Sequence, residues 1–150
     1  MSKEIVLLLA EDDEGHATLT IQNLKRAGVT NSIVHFKDGQ EILDFLFKRG
    51  NGLSRSDDEL YALLLDIRMP IVDGLDVIRQ VKDDSILKEI PVIILSTTDD
   101  PVMIERCLDL GCVKYVVKPL SYDRFTDEIR NLGKYLLEEI YPGLDAAGRQ

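Results

Sequence analysis

Cysteine, basic residues and long apolar runs are all scarce in this chain of 150 residues, and each scarcity excludes something. The two cysteines, Cys107 and Cys112, are spaced neither as a zinc pair nor as a C-x-x-C redox pair. They read as small core residues in a reducing compartment. Lys and Arg number 18 against 27 Asp and Glu, a formal net charge of −9. Such a surface repels phosphate backbones, which argues against direct DNA or RNA binding. No apolar run reaches the length of a membrane span, and Met1-Ser2-Lys3-Glu4 lacks a signal peptide's apolar core. A cytoplasmic protein with no membrane partner is expected.

What is present fits one soluble domain, with 45% apolar and 30% charged residues. Five short apolar runs have strand character: Ile5–Ala10, Ser32–Phe36, Leu60–Leu65, Val92–Leu95 and Tyr115–Val117. Helical spacing follows each of them. Ala17, Ile21, Leu24 and Ala27 form one stripe, ended by Gly28. Asp38-Gly39-Gln40-Glu41 has a capping-box pattern ahead of Ile42, Phe45 and Leu46. Leu75, Ile78 and Val81 make a third stripe, and Asp100-Pro101 opens a fourth helix through Met103 or Ile104, Cys107 and Leu108. The last helix starts near Ser121, buries Phe125, Ile129, Leu132 and Leu136, and stops at Tyr141-Pro142-Gly143. The polar stretch from Gly50 to Glu59 reads as a mobile surface loop. Strand–helix alternation repeated five times implies a doubly wound α/β domain with a parallel sheet. Its folded core is expected over residues 3–140, with a frayed tail over 141–150.

The chemistry gathers where the strands end. Leu63-Leu64-Leu65 runs directly into Asp66, a carboxylate that is costly to bury without a partner. Open α/β sheets bind ligands in the crevice beyond the carboxyl ends of their strands. The first strand delivers Glu11 and Asp12 to that edge, the fourth Ser96 and Thr97, and the fifth Lys118. Clustered carboxylates are relieved by a hard divalent cation, and Mg²⁺ needs only a few of them. A carboxylate beside that metal can attack phosphorus and form an acyl phosphate. Taken singly, the acids serve equally well as helix caps, Ser96-Thr97-Thr98 as a loop and Lys118 as a solvated lysine. Their meeting at one sheet edge carries the argument.

Four segments resemble the receiver domains of two-component response regulators, of the chemotaxis-regulator type. They are Leu7-Leu8-Leu9-Ala10-Glu11-Asp12-Asp13, Leu65 to Pro70 with Asp73-Gly74, Pro91 to Thr97, and Tyr115 to Pro119. The resemblance implies a flavodoxin-like sheet of strand order 2-1-3-4-5. It implies that Asp66 is the phosphoacceptor, and that Glu11, Asp12, Asp66 and the backbone carbonyl of Arg68 hold Mg²⁺, with Mn²⁺ as an alternative. Ser96, Thr97, Lys118 and Tyr115 would bind the phosphoryl group or switch with it, and Pro119 would follow a cis peptide bond. The donor would be a sensor histidine kinase or a histidine phosphotransfer protein. Added charge would remodel the face of the fourth helix, fifth strand and last helix, for partner docking or for a homodimer aided by an exposed Tyr135. Arg68 and Thr98 offer no acid or carboxamide to orient a hydrolytic water, which implies a long-lived acyl phosphate. The polar loop and Glu11 to Ala17 are similar to stand-alone regulators paired with phytochrome-like kinases, and His16 reads as a surface helix residue ahead of the alternative, a further pocket residue.

Two rivals share this layout. A phosphatase of the haloacid-dehalogenase type needs a second aspartate two residues after its nucleophile, where this chain has Arg68. A phosphate-independent interaction module has no need of competent residues at every pocket position. A signalling receiver rather than a turnover enzyme is the expectation.

Overall fold

Five apolar runs form one parallel sheet in a computed structural model that describes residues 3–148. They are β1 (Glu4–Ala10), β2 (Ile33–Phe36), β3 (Glu59–Leu65), β4 (Val92–Ser96) and β5 (Lys114–Val117), in spatial order β2-β1-β3-β4-β5. Each matches its expected run to within one residue at either end.

Alternation along the strands decides which helices lie on which side. Val6, Leu8, Leu63, Leu65, Val92 and Ile94 share one core with α2 (Gly39–Leu46), α3 (Gly74–Asp83) and α4 (Pro101–Asp109). Ile5, Leu7, Leu9, Leu64, Ile93 and Leu95 face the other way, onto α1 (Glu14–Arg26) and α5 (Tyr122–Tyr135). Burying one leucine side chain is worth about 1.5–3 kcal/mol, and Leu7 to Leu9 of β1 and Leu63 to Leu65 of β3 are buried on both faces of the sheet. That packing fixes the strands, and with them the height at which they end. The order reverses between β1 and β3, where Ala10 is paired with Leu65. Glu11 and Asp66 therefore leave neighbouring strands side by side, at the point where such sheets open a crevice.

Several local expectations are corrected. In α1 the buried set is Ala17, Thr20, Asn23 and Leu24, while Ile21 and Ala27 are only half-buried. Thr20 Oγ1 donates to His16 O (2.7 Å) and Asn23 Nδ2 to Leu19 O (2.9 Å), which satisfies the donors of both buried side chains, while Asn23 Oδ1 is buried without a partner among the described residues. In α4 only Cys107 is buried, and Leu108 is exposed. The loop before β3 is anchored at Arg55, whose Nε donates to Leu46 O (2.7 Å) and whose guanidinium pairs with Asp57, while residues 50–54 are exposed.

The C-terminal segment departs most from expectation. Tyr141-Pro142-Gly143 does not stop the helix. α5 runs on through a π turn, Leu136–Ile140, into α6 (Tyr141–Gly148). The Tyr141 N–H reaches back five residues to Leu136 O, which widens the turn just before the proline. Pro142 comes directly after that turn, in the first turn of α6, and interrupts the continuous backbone ladder only by its own missing N–H. Tyr141 is buried in the same core as Leu136, and that burial docks α6. Residues 149 and 150 of the expected tail lie outside the described residues. The Lys118–Pro119 peptide bond is trans rather than cis, as are all described peptide bonds. Trans remains the lower-energy form before proline by about 0.5–1 kcal/mol, and Lys118 reaches its partners from it. Tyr135 is half-buried, with Lys114 Nζ 4.7 Å from its ring centroid. No described helix is long and apolar enough to cross a membrane.

Candidate functional site

Four buried polar side chains meet at the carboxyl edge of the sheet. Glu11 is 2% exposed, Asp66 9%, Ser96 1% and Lys118 3%. The backbone sets them there. Glu11 N donates to Phe36 O (2.9 Å), Asp66 N to Ala10 O (3.1 Å) and Lys118 N to Ser96 O (2.7 Å), so each begins its loop while still tied to the adjacent strand.

The loop after Asp66 is shaped by close approach. Gly74 N donates to Ile67 O (2.7 Å), and a Cβ on Gly74 would lie 2.4 Å from Asp66 O. Only glycine lets the start of α3 seat against the aspartate's own carbonyl. Asp73 caps that helix, accepting from Asp76 N at 3.0 Å. Between them Ile71, exposed and β-branched, is held at φ 71°, a conformation disfavoured for such a residue.

Lys118 is the hub. Its Nζ donates to Glu11 Oε1 and to Asp66 Oδ2 (3.1 Å), while Asp66 Oδ1 accepts from Ile67 N (2.7 Å). The second Glu11 oxygen accepts from Asp13 N at 3.2 Å. Burial pushes the Glu11 carboxyl up to about 7, against the downward pull of the Lys118 ammonium. Asp12 stands exposed beside them. Oxygen atoms of Glu11, Asp12 and Asp66 all lie within 4.8 Å of one another. An all-oxygen, carboxylate-rich set of this size fits a hard cation such as Mg²⁺ or Mn²⁺ and gives a soft, thiolate-preferring ion nothing to bind.

The residues expected to switch are arranged in series. Ser96 Oγ accepts from Thr98 N (3.3 Å), and the Tyr115 hydroxyl donates to Thr98 O (2.6 Å). Burial pushes the Tyr115 phenol up to about 12. Thr97 and Arg68 are exposed, and Thr98 Oγ1 is buried without a partner among the described residues.

Both histidines reach the site: His35 was not expected there, and His16 takes the less favoured of its two readings. His16 Nδ1 lies 3.2 Å from Lys118 Nζ and 3.9 Å from Glu11 Oε1, so this half-buried side chain borders the pocket. His35 Nε2 lies 2.6 Å from Glu11 O; a carbonyl only accepts, so His35 donates. The single sequence cue for His16 was its place in the first turn of α1, directly above the strand end.

Comparison with known proteins agrees with this geometry. Residues 7–130 match the model of the response regulator receiver domain. The chain is similar to the probable methanogenesis regulatory protein FilR2 of Methanothrix harundinacea, 33% identical over 132 residues, covering 88% of this chain and 83% of the relative. It is similar to a receiver domain structure from Rhodospirillum rubrum, with TM-score 0.79 and 38% identity, covering 88% and 93% of the two chains. It is also similar to the phosphorylated cyanobacterial phytochrome response regulator RcpA, with TM-score 0.79 and 28% identity, covering 92% and 96%. Sequence and fold agree over most of the chain's length: it belongs to the response regulator receiver domain family.

Proposed function

We propose that this protein is a phosphoryl-accepting signalling switch whose acceptor is Asp66 and whose donor is a sensor histidine kinase or a histidine phosphotransfer protein. The observation that carries this reading is the buried Lys118 ammonium, shared by Glu11 and Asp66 inside a cluster of three acids. An Asp66 carboxylate oxygen attacks the phosphorus of a phosphohistidine. The O–P bond forms as the P–N bond breaks, and the imidazole leaves with the electron pair and takes up a proton. Lys118 offsets the negative charge on the phosphoryl oxygens. Glu11, Asp12, Asp66 and the Arg68 carbonyl would hold Mg²⁺, or Mn²⁺ in its place, which when bound supplies further neutralisation of that charge.

The new group adds roughly −2 of charge at the site. The Ser96 hydroxyl and Lys118 are drawn towards it, and the Ser96–Thr98 segment moves with Thr97. Because the Tyr115 hydroxyl is bonded to Thr98 O, Tyr115 follows. α4, which buries only Cys107, is the neighbour least anchored against reorientation. The face of α4, β5 and α5, with Val102 and Val113 exposed, then docks a partner or a second copy in the cytoplasm. Arg68 and Thr98 supply no side chain to orient a hydrolytic water, and the acyl phosphate is long-lived.

Mass spectrometry after incubation with acetyl phosphate and Mg²⁺ tests the reading. The wild-type protein gains one phosphoryl group, and Asp66→Asn keeps the fold but takes none. Unchanged labelling of Asp66→Asn would move the acceptor elsewhere. An unlabelled wild-type protein that also ignores beryllofluoride would favour a phosphate-independent module.

A further inference from the structure

The Lys118 ammonium has three N–H donors, and three acceptors face it. Two are the Glu11 and Asp66 carboxylates, and the third is His16 Nδ1 at 3.2 Å. Ammonium only donates, so Nδ1 accepts, and the neutral ring carries its proton on Nε2. We infer that His16 is a positioning residue for phosphoryl acceptance, a neutral acceptor that keeps Lys118 aimed at Asp66 while the carboxylates around it change state. This rests on the phosphoacceptor reading above.

The ring is built in rather than draped over the site. His16 N donates to Asp13 Oδ1 (2.9 Å), and its carbonyl accepts from Thr20 Oγ1 (2.7 Å), which fixes the backbone in the first turn of α1. The imidazole packs against Phe125 of α5, with centroids 5.7 Å apart, and Phe125 is itself buried in the core. A lysine carries its charge on a flexible four-carbon stem, so aiming it costs side-chain entropy unless something already holds it.

Neutrality is the useful property. As Asp66 becomes an acyl phosphate it loses carboxylate charge, and Glu11 is shared with the acid cluster that fits a cation. Both anionic partners therefore change their hold on Lys118 during the reaction, whereas His16 does not. A carboxylate at position 16 would grip the ammonium more tightly, but it would also cancel the charge needed at the phosphoryl group and repel that group directly. A neutral nitrogen orients without cancelling.

The test compares the rate of Asp66 phosphorylation by acetyl phosphate in the full chain with Mg²⁺, for the wild type and four substitutions. His16→Leu should slow the reaction about tenfold, the low end for a hydrogen bond to a charged group at a half-buried position. His16→Asn, whose Oδ1 falls near the place of Nδ1, should recover most of that loss. His16→Gln, with its acceptor further out, and His16→Asp, which adds an anion, should not. The Lys118 ammonium nitrogen resonance gives a readout independent of turnover. It should be held in slow exchange in the wild type and His16→Asn, and lost to rapid exchange in His16→Leu. A merely structural role would not separate Asn from Gln. Wild-type rates in His16→Leu, or equal losses in Leu and Asn, would overturn the inference alone. A wild-type protein that takes no label overturns the phosphoacceptor reading, and this inference with it.

Discussion

Glu11 and Asp84 show how position decides what an acid does in this molecule. Burial drives Glu11 upwards even with a lysine in contact. Asp84 is only half-buried, and the N–H groups of Leu87 and Ile86, from which it accepts at 2.9 and 2.8 Å, hold it below its usual 3.8. A depressed value in the folded state means stabilisation that is present above the unfolded value and lost as pH falls through the folded one. The stability gap between wild type and Asp84→Ala should therefore be steady near neutrality and narrow only below pH 3.8, as read by urea unfolding at stepped pH. A gap that instead narrows between pH 5 and 8, the range where histidine titrates, would point to another group. Asp66 was legible in the sequence because an acid following three leucines conflicts with its surroundings. His35 was not, and His16 only as a second reading, since a lone histidine has no periodicity, and the partners come from 102 residues away for His16 and 24 for His35.

Elements were legible wherever apolar spacing set them, so all five strands and the five expected helices lie where the pattern put them. The exception is the run beyond Leu136. A Pro-Gly pair normally argues for a helix end, but one π turn moves the proline into the first turn of a new helix, and no residue pattern announces that. Docking of α6 rests on Tyr141, buried with its hydroxyl lacking a partner among the described residues. Tyr141→Phe should therefore be neutral or stabilising by about 1 kcal/mol, since an unsatisfied buried group is removed. Tyr141→Ala should cost about 3–5 kcal/mol through the cavity it leaves. Urea titrations of both variants check this, and a strongly destabilised Tyr141→Phe would mean that the hydroxyl has a partner after all.

Across the whole molecule, strand alternation predicts a parallel sheet but not which strand lies beside which; the order β2-β1-β3-β4-β5 came from family resemblance. That order brings acids from β1 and β3 together in a chain already at −9, so the site carries strain that a cation would relieve. Mg²⁺ at a hundredfold excess over its dissociation constant should stabilise the fold by about 2.7 kcal/mol. Calorimetry should show a higher midpoint that a chelator reverses and Asp12→Ala abolishes; an unmoved midpoint would count against the acid cluster as a metal site. The pocket also claims every imidazole in the chain: there are two histidines, one facing the Lys118–Glu11 pair and the other bonded to the Glu11 carbonyl. Histidine-selective magnetic resonance would thus view the acid-lined pocket around Lys118 without background, an intrinsic pair of labels that needs no substitution to install.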